Sequence, residues 1–367
     1  MSSKKDNSYN LDKYFMSIAM NLAKERNGLT GLNPSVGCVI VKNNKILSFG
    51  QTGFNGRPHA ELAAIKNCKK KDLKGSSIYI TMEPCTHYGK TPPCTNLIIK
   101  SKIKKVIYSI NDIDKRTAKK AFSLLKAKKI IVSRGLLSSE AKKTYTKYFL
   151  HKNTKKPYVA AKIACSNDYF TISKKKFITN EYSRSVSHLL RYYFDSILVS
   201  SKTANSDNSK LSCRINGLEN YSPLRLIIDK NLKINMKSPV ITDEKRNNTI
   251  IFHSSKNKTK INNLRSKGIR LYYTSLDANN NINLKKVFSK SYDIGIGSIL
   301  IEGGMTLTKN LLRDKLINEF YLFKSKKNLG KFGKNNISDF KKKINNFLKK
   351  KEDIKTFLDG DELTRYY

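Results

Sequence analysis

His59-Ala60-Glu61, followed by Pro84-Cys85 and then Cys94, is the stretch on which the reading of this chain turns. Apolar periodicity predicts a helix over 59–68, an extended run over 77–81 and a second helix over 93–100, so both parts of the pattern sit where helices begin. One imidazole and two thiolates make three zinc ligands. Zinc prefers four tetrahedral ligands, and a three-ligand protein site leaves one position for water, the mark of a catalytic rather than a structural centre. Zinc lowers the pKa of that water toward neutrality. Glu61, two residues from the first ligand, is placed to move the water's proton as a general acid and base. Helix N-termini also favour anionic thiolates.

Outward from this pattern, 11–26 carries apolar residues at helical spacing (Leu11, Phe15, Ile18, Ala19, Leu22, Ala23), with Asn10 as an N-cap. The runs 38–41 and 45–49 flank Asn43-Asn44 and predict a hairpin. Extended runs at 106–110 and 130–132, with a helix at 118–127, complete an alternating α/β pattern. A basic helical stretch, 139–152, leads into Asn153-Thr154-Lys155-Lys156-Pro157, where a domain boundary is expected. The pattern then restarts with the apolar run Tyr158 to Cys165. Strands are expected at 197–200, 224–228, 249–252, 269–273 and 298–301, with helices at 183–192 and 305–313. Segment 324–351, rich in Lys, Asn and Gly, has weak periodicity and reads as a mobile loop with a short helix at its end.

The chain has 367 residues, enough for two domains that bury cores without disulfides. Its apolar runs fall far below the roughly 18 residues of a membrane span. Met1-Ser2-Ser3-Lys4-Lys5-Asp6-Asn7 is followed by neither an apolar core nor a small-residue cleavage site, so a secretory signal is not expected and the cytoplasm is the expected location. The six cysteines form no secreted-type framework, and Cys38, Cys68, Cys165 and Cys213 are expected to pack as small hydrophobes. Net charge is +44, from 72 Lys and Arg against 28 Asp and Glu. Such charge attracts polyanions at long range. Only 13 of the 72 are Arg and the Lys are scattered, whereas specific phosphate and base recognition uses Arg forks and clustered stripes. We therefore expect no specific nucleic-acid partner and no membrane partner.

Zinc deaminases carry H-x-E with P-C-x-x-C. Here eight residues separate the cysteines, Thr86-His87-Tyr88-Gly89-Lys90-Thr91-Pro92-Pro93, and Asn33-Pro34-Ser35-Val36-Gly37 lies upstream. With this insert the chain resembles the bifunctional riboflavin-biosynthesis deaminase–reductase family. In the second half the resemblance continues through Arg191, the run Asp195 to Thr203, Asp207, Leu211, Arg214, Arg225 to Asp229, and Glu302-Gly303-Gly304. A glycine pair between strand and helix also suits backbone amides approaching a dinucleotide phosphate.

The resemblance implies an α/β protein with an N-terminal three-layer cytidine-deaminase-like domain, 1–152, and a C-terminal dihydrofolate-reductase-like α/β domain, 153–367. It implies zinc on His59, Cys85 and Cys94, with Glu61 catalytic and Asn33, His87 and Lys90 touching the substrate. It further implies NADPH held by Ala164, Phe177, Thr203, Asp207, Gly304, Met305 and Thr306, and substrate held by Arg191, Leu211, Arg214 and Glu302. The reactions would be hydrolytic deamination of 2,5-diamino-6-(5-phosphoribosylamino)pyrimidin-4(3H)-one, then NADPH-dependent reduction of the ribosyl group to ribityl. The partners are thus small pyrimidine ribonucleotides, and homo-oligomer formation stays open.

The chain departs from the family pattern at Ser166-Asn167-Asp168-Tyr169, where Ser-Leu-Asp-Gly is usual, at Phe177 in place of Trp, and at Ser206-Asp207-Asn208 in place of Asp-Asp-Pro. The segment between Tyr169 and Phe177 looks shortened, and 115–120 lacks the glycines common in relatives. Two alternatives follow: a deaminase with a decayed reductase domain, or a nucleic-acid-editing deaminase with a binding module. The long insert and the reductase-like second half count against the latter.

Overall fold

The computed structural model describes residues 2–173 and 177–367, with side chains from residue 9 onward. The shortened segment before Phe177 includes 174–176, which lie outside the described residues, as does Met1. The chain forms two compact units, Met1–Lys155 and Lys156–Tyr367. Among the described residues no helix is long and apolar enough to cross a membrane.

In the first unit β1 (Gly37–Lys42), β2 (Lys45–Gln51), β3 (Ser77–Ile80), β4 (Lys105–Tyr108) and β5 (Ile131–Arg134) form one sheet in the order β2-β1-β3-β4-β5. The hairpin turns through Asn43 and Asn44, whose φ angles of 50° and 59° are those a two-residue I′ turn demands and asparagine tolerates. β1 runs antiparallel to both neighbours, while β3, β4 and β5 are parallel. Successive residues of β1 bury on opposite faces: Val39 and Val41 join Phe15, Met16 and Ala19 of the helix Ser2–Glu25, whereas Cys38 and Ile40 join Ala60, Ala64 and Ile98. That alternation builds the three layers, because a strand covered on both sides must be apolar at every position. The basic stretch expected as one helix is two, Ser138–Thr144 and Thr146–Thr154, divided at Tyr145.

The second unit is built on a nine-stranded sheet. Its strands are β6 (Tyr158–Cys165), β8 (Ser196–Ser200), β9 (Leu224–Ile228), β10 (Thr249–His253), β11 (Arg270–Tyr273), β12 (Ser298–Glu302), β13 (Glu319–Lys324), β15 (Lys351–Asp353) and β16 (Glu362–Tyr366), while β7 (Phe170–Ile172) and β14 (Lys334–Asn336) pair separately. The sheet order is β11-β10-β9-β8-β12-β6-β13-β16-β15, parallel from β11 through β13. Leu198, Leu226 and Ile250 pack on one face, against Val287, Leu311 and Phe340 of three helices; Ile197, Ile227 and Ile251 pack on the other, with Ala204 and Leu264. The expected helix over 305–313 is present as Met305–Arg313.

Segment 324–351 carries the short helix expected at its end, and the part before it is more ordered than its composition predicts. The segment holds β14, antiparallel to β7, and the ten-residue helix Ser338–Phe347, which buries Phe340 and Ile344 at i and i+4. Two apolar anchors one turn apart suffice to dock a helix, and the intervening Lys and Asn hide them from a window average. All six cysteines are free, and Cys38, Cys68, Cys165 and Cys213 are buried.

Candidate functional site

In the first unit the helix Ala60–Lys66 starts at His59, its N-cap, and places Glu61 in its first turn; Cys94 opens the helix Cys94–Lys100. Cys85 lies beyond the C-terminal end of β3. The ligand atoms of His59, Cys85 and Cys94 all lie within 4.8 Å of one another, with His59 Nδ1 at 3.3 Å from Cys94 Sγ and 3.6 Å from Cys85 Sγ. Tetrahedral zinc with its usual bond lengths would set such atoms about 3.5–3.8 Å apart, so the donor set fits that ion. The Cys94 backbone N–H donates to Cys85 Sγ at 3.2 Å. Hydrogen bonding from Cys94, aided by His59, pushes the Cys85 thiol well down from its ordinary value.

Glu61 is buried, and that burial raises its pKa against the opposing pull of His59. A carboxyl so placed is poised to carry a proton. Asn33 lies against Gly56, three residues before His59: a Cβ at Gly56 would come within 2.1 Å of Asn33 Nδ2, and its φ of +84° also selects glycine. On the insert, His87 Nδ1 meets Thr117 Oγ1 at 2.9 Å and Lys90 is exposed.

Sequence reasoning missed what holds this loop. Glu83 accepts backbone N–H bonds from Asp112, Lys119 and Ala121 at 3.2, 2.9 and 3.0 Å, tying 112–121 beneath the insert. Arg57 Nη1 donates to Thr91 Oγ1 at 2.5 Å. A buried Glu beside Pro84-Cys85 was the available signal.

In the second unit the candidate residues gather where β8, β12 and β6 end. Ser200 caps the helix Ser201–Asp207 through the Thr203 N–H, and its hydroxyl lies 3.1 Å from Thr203 Oγ1. Gly303, at φ +122°, runs so close that a Cβ there would sit 2.6 Å from Thr203 Cγ2. Thr203, Gly304 and the first helical residues Met305 and Thr306 are therefore neighbours, with backbone amides at a nine-residue helix start. Asp207 ends the preceding helix and accepts from Ser206 Oγ at 2.8 Å. Ala164 packs with Phe323 and Leu363 instead, and Phe177 is exposed beneath the Arg184 guanidinium, 4.3 Å from its ring.

Arg191 and Glu302 meet each other: Nε and Nη2 donate to the two carboxylate oxygens at 2.8 and 2.9 Å. Lys162, paired in register with Glu302 across β6 and β12, adds a contact at 3.5 Å. Burial alone would raise the Glu302 pKa, but Arg191 and Lys162 outweigh it and hold the carboxyl at about 2. Leu211 is buried among Val199 and Ala204, so its side chain serves the core. Arg214 is exposed and donates to His188 Nε2. Lys162 and His188 also escaped the sequence reading, although His188 precedes Arg191 by three, one helical turn.

Comparison with known proteins covers both units. Residues 157–356 match the family model of the RibD C-terminal domain, and residues 9–110 match that of the cytidine and deoxycytidylate deaminase zinc-binding region. The riboflavin biosynthesis protein RibD of Aquifex aeolicus is 32% identical over 87% of this chain and 88% of its own. The structure of Acinetobacter baumannii RibD superposes with a TM-score of 0.81 at 25% identity, covering 98% of this chain and 99% of that one. A Thermotoga maritima structure, described as a diaminohydroxyphosphoribosylaminopyrimidine deaminase and 5-amino-6-(5-phosphoribosylamino)uracil reductase, gives 0.79 at 28% identity over 98% and 99% of the two chains. With two matched domains and relatives above 30% identity over most of its length, this chain belongs to the RibD family of riboflavin biosynthesis proteins.

Proposed function

We propose that the first unit deaminates 2,5-diamino-6-(5-phosphoribosylamino)pyrimidin-4(3H)-one hydrolytically and that the second reduces the ribosyl group of the product to ribityl. The observation that carries the first step is the convergence of His59, Cys85 and Cys94 beside the buried Glu61. Those three residues would hold zinc, which when bound supplies Lewis-acid activation of water. Glu61 accepts a proton from the attacking water and returns it to the leaving amine, so that a C–N bond is exchanged for C=O and ammonia departs. Asn33 and His87 orient the pyrimidine, and Lys90 faces the phosphate.

In the second unit Thr203, Asp207, Gly304, Met305 and Thr306, with Ala164 and Phe177, would hold NADPH, which when bound supplies the hydride. Arg214 binds the substrate phosphate, the backbone at Leu211 borders it, and the Arg191–Glu302 pair shapes the sugar site, Glu302 being the acceptor for sugar hydroxyls. We assign the deaminase to 1–152 and the reductase to 153–367, a division supported by the compact units that meet at Lys155 and Lys156.

Tyr169 favours a second reading, a deaminase with a silent partner domain. It holds φ +65° where relatives carry glycine, yet its N–H still donates to Ser166 O at 3.0 Å, so the turn itself is kept. One assay of the zinc-loaded protein with the diaminopyrimidinone phosphate and NADPH separates the two. Ammonia release with matching NADPH oxidation supports the bifunctional reading, ammonia alone the silent domain, and neither product removes the proposal.

A further inference from the structure

We infer that His188 is a positioning residue for the reductase reaction, a neutral imidazole that aims the Arg214 guanidinium at the substrate phosphate without cancelling its charge. The inference rests on the reading of Arg214 as the phosphate-facing residue.

Two arginines stand at this site in opposite electrostatic states. Arg191 is buried and bound two-pronged to Glu302, so its charge is neutralised. Its remaining Nη1 donates at 2.9 Å to the Ser212 carbonyl. That carbonyl also lies 3.2 Å from His188 Nδ1. A carbonyl only accepts, so Nδ1 bears the hydrogen. The opposite ring nitrogen, Nε2, faces two donors of Arg214, Nε at 3.2 Å and Nη2 at 3.0 Å, so it bears none. Arg191 Nη1 also approaches Nδ1, at 3.5 Å, but the two shorter donor contacts at Nε2 and the Ser212 carbonyl at Nδ1 select the neutral tautomer protonated on Nδ1. Burial, with Arg191 and Arg214 beside the ring, pushes the His188 pKa down to about 4 against the pull of Glu302, in keeping with that tautomer.

A carboxylate in the place of His188 would orient Arg214 equally well and neutralise it, as Glu302 does Arg191. Imidazole orients and leaves the positive charge for a phosphate dianion, with guanidinium donors still available on an exposed side chain. The chain of contacts from Glu302 through Arg191, Ser212 and His188 to Arg214 therefore converts a buried ion pair into the placement of one exposed cation.

The test is a double-mutant cycle on the full chain, with NADPH saturating and the deaminated phosphoribosylaminopyrimidine varied. His188→Leu is expected to raise KM about tenfold while kcat stays within about twofold, the pattern of lost binding common to ground and transition states. His188→Gln, whose Oε1 can accept from Arg214, restores most of the loss. In an Arg214→Ala background His188→Leu adds nothing further. An additive effect in that background overturns the inference, as does an unchanged KM in His188→Leu when Arg214→Ala raises it. Should Arg214→Ala itself leave KM unchanged, the phosphate reading of Arg214 fails and takes the inference with it. If His188→Leu folds poorly, His188→Gln still decides: a KM near wild type supports the inference, and a KM as high as that of Arg214→Ala overturns it.

Discussion

Arg191 and Glu302 lie 111 residues apart in sequence, yet close a bidentate ion pair at 2.8 and 2.9 Å in the interior of the second unit. Removing one partner of such a pair strands a buried charge, which is far costlier than the pair itself is stabilising. Arg191→Leu is expected to destabilise the second unit by about 3–5 kcal/mol in urea unfolding, since Glu302 is left with Lys162 alone at 3.5 Å. Arg191→Leu/Glu302→Leu should recover much of that loss; a double variant no better than the single one would contradict the argument.

Glu61→Gln keeps the shape of the side chain and removes its ability to carry a proton. Ammonia release should fall about 10²–10⁴-fold with zinc content unchanged by atomic absorption. Activity at the wild-type level in a zinc-loaded variant would exclude Glu61 as the proton carrier.

Glu83 satisfies three backbone donors at once. In Glu83→Ala these N–H groups lose their acceptor, at about 1–3 kcal/mol for each that stays buried. Deaminase kcat/KM should fall with stability, because Thr117, on the same loop, holds His87. Amide hydrogen exchange at 112–121 reads the effect directly, and protection equal to wild type would refute it.

Gly303→Ala sets a methyl 2.6 Å from Thr203 Cγ2 at φ +122°. The backbone strain is of order 1–3 kcal/mol, and Thr203 must shift. NADPH affinity, followed by fluorescence titration, is expected to drop about tenfold for each 1.4 kcal/mol of that strain that falls on the bound state. Unaltered affinity would mean that this turn does not touch the cofactor.

His151 is buried, and burial, helped by Lys152 and Lys155, pushes its pKa down to about 4. The unfolded chain takes up the proton near pH 6.5, so the stability His151 contributes is present above about 6.5 and lost as pH falls toward about 4. His151→Phe should flatten the stability curve of the first unit in that window. His188, also held near 4, acts in the same range from the second unit, so the difference between variant and wild type is the quantity to measure. Identical slopes would show that His151 is already protonated in the folded state.

Much of the site was legible because its chemistry is compact in sequence. His59 and Glu61 are two residues apart and share a helix start, and Cys85 and Cys94 bracket one insert. The hairpin at Asn43-Asn44 could be read since positive φ at two adjacent positions is an asparagine and glycine property. The helix Ser338–Phe347 was expected only as a short helix closing a mobile loop, and the pairing of β14 with β7 before it could not be read, because three polar residues carry no strand pattern of their own. Strands β13 and β16 were missed for a related reason: their alternation is broken by Glu319, Lys324 and Arg365, which the fold tolerates through cross-strand ion pairing of Arg365 with Glu319.

The sequence by itself determined the trio His59, Cys85 and Cys94 that could hold a metal, the placement of Glu61 near it, the α/β alternation and the glycine turn at 303–304, since each depends on residues near one another along the chain. Tertiary structure alone decided that Arg191 spends its charge on Glu302 while Arg214 keeps its own, that Lys162 joins the pair by strand register, and that Glu83 ties a distant loop beneath the insert. An ionised side chain acquires its electrostatic role from the partner that burial leaves beside it, and that partner is chosen by how strands align and helices dock.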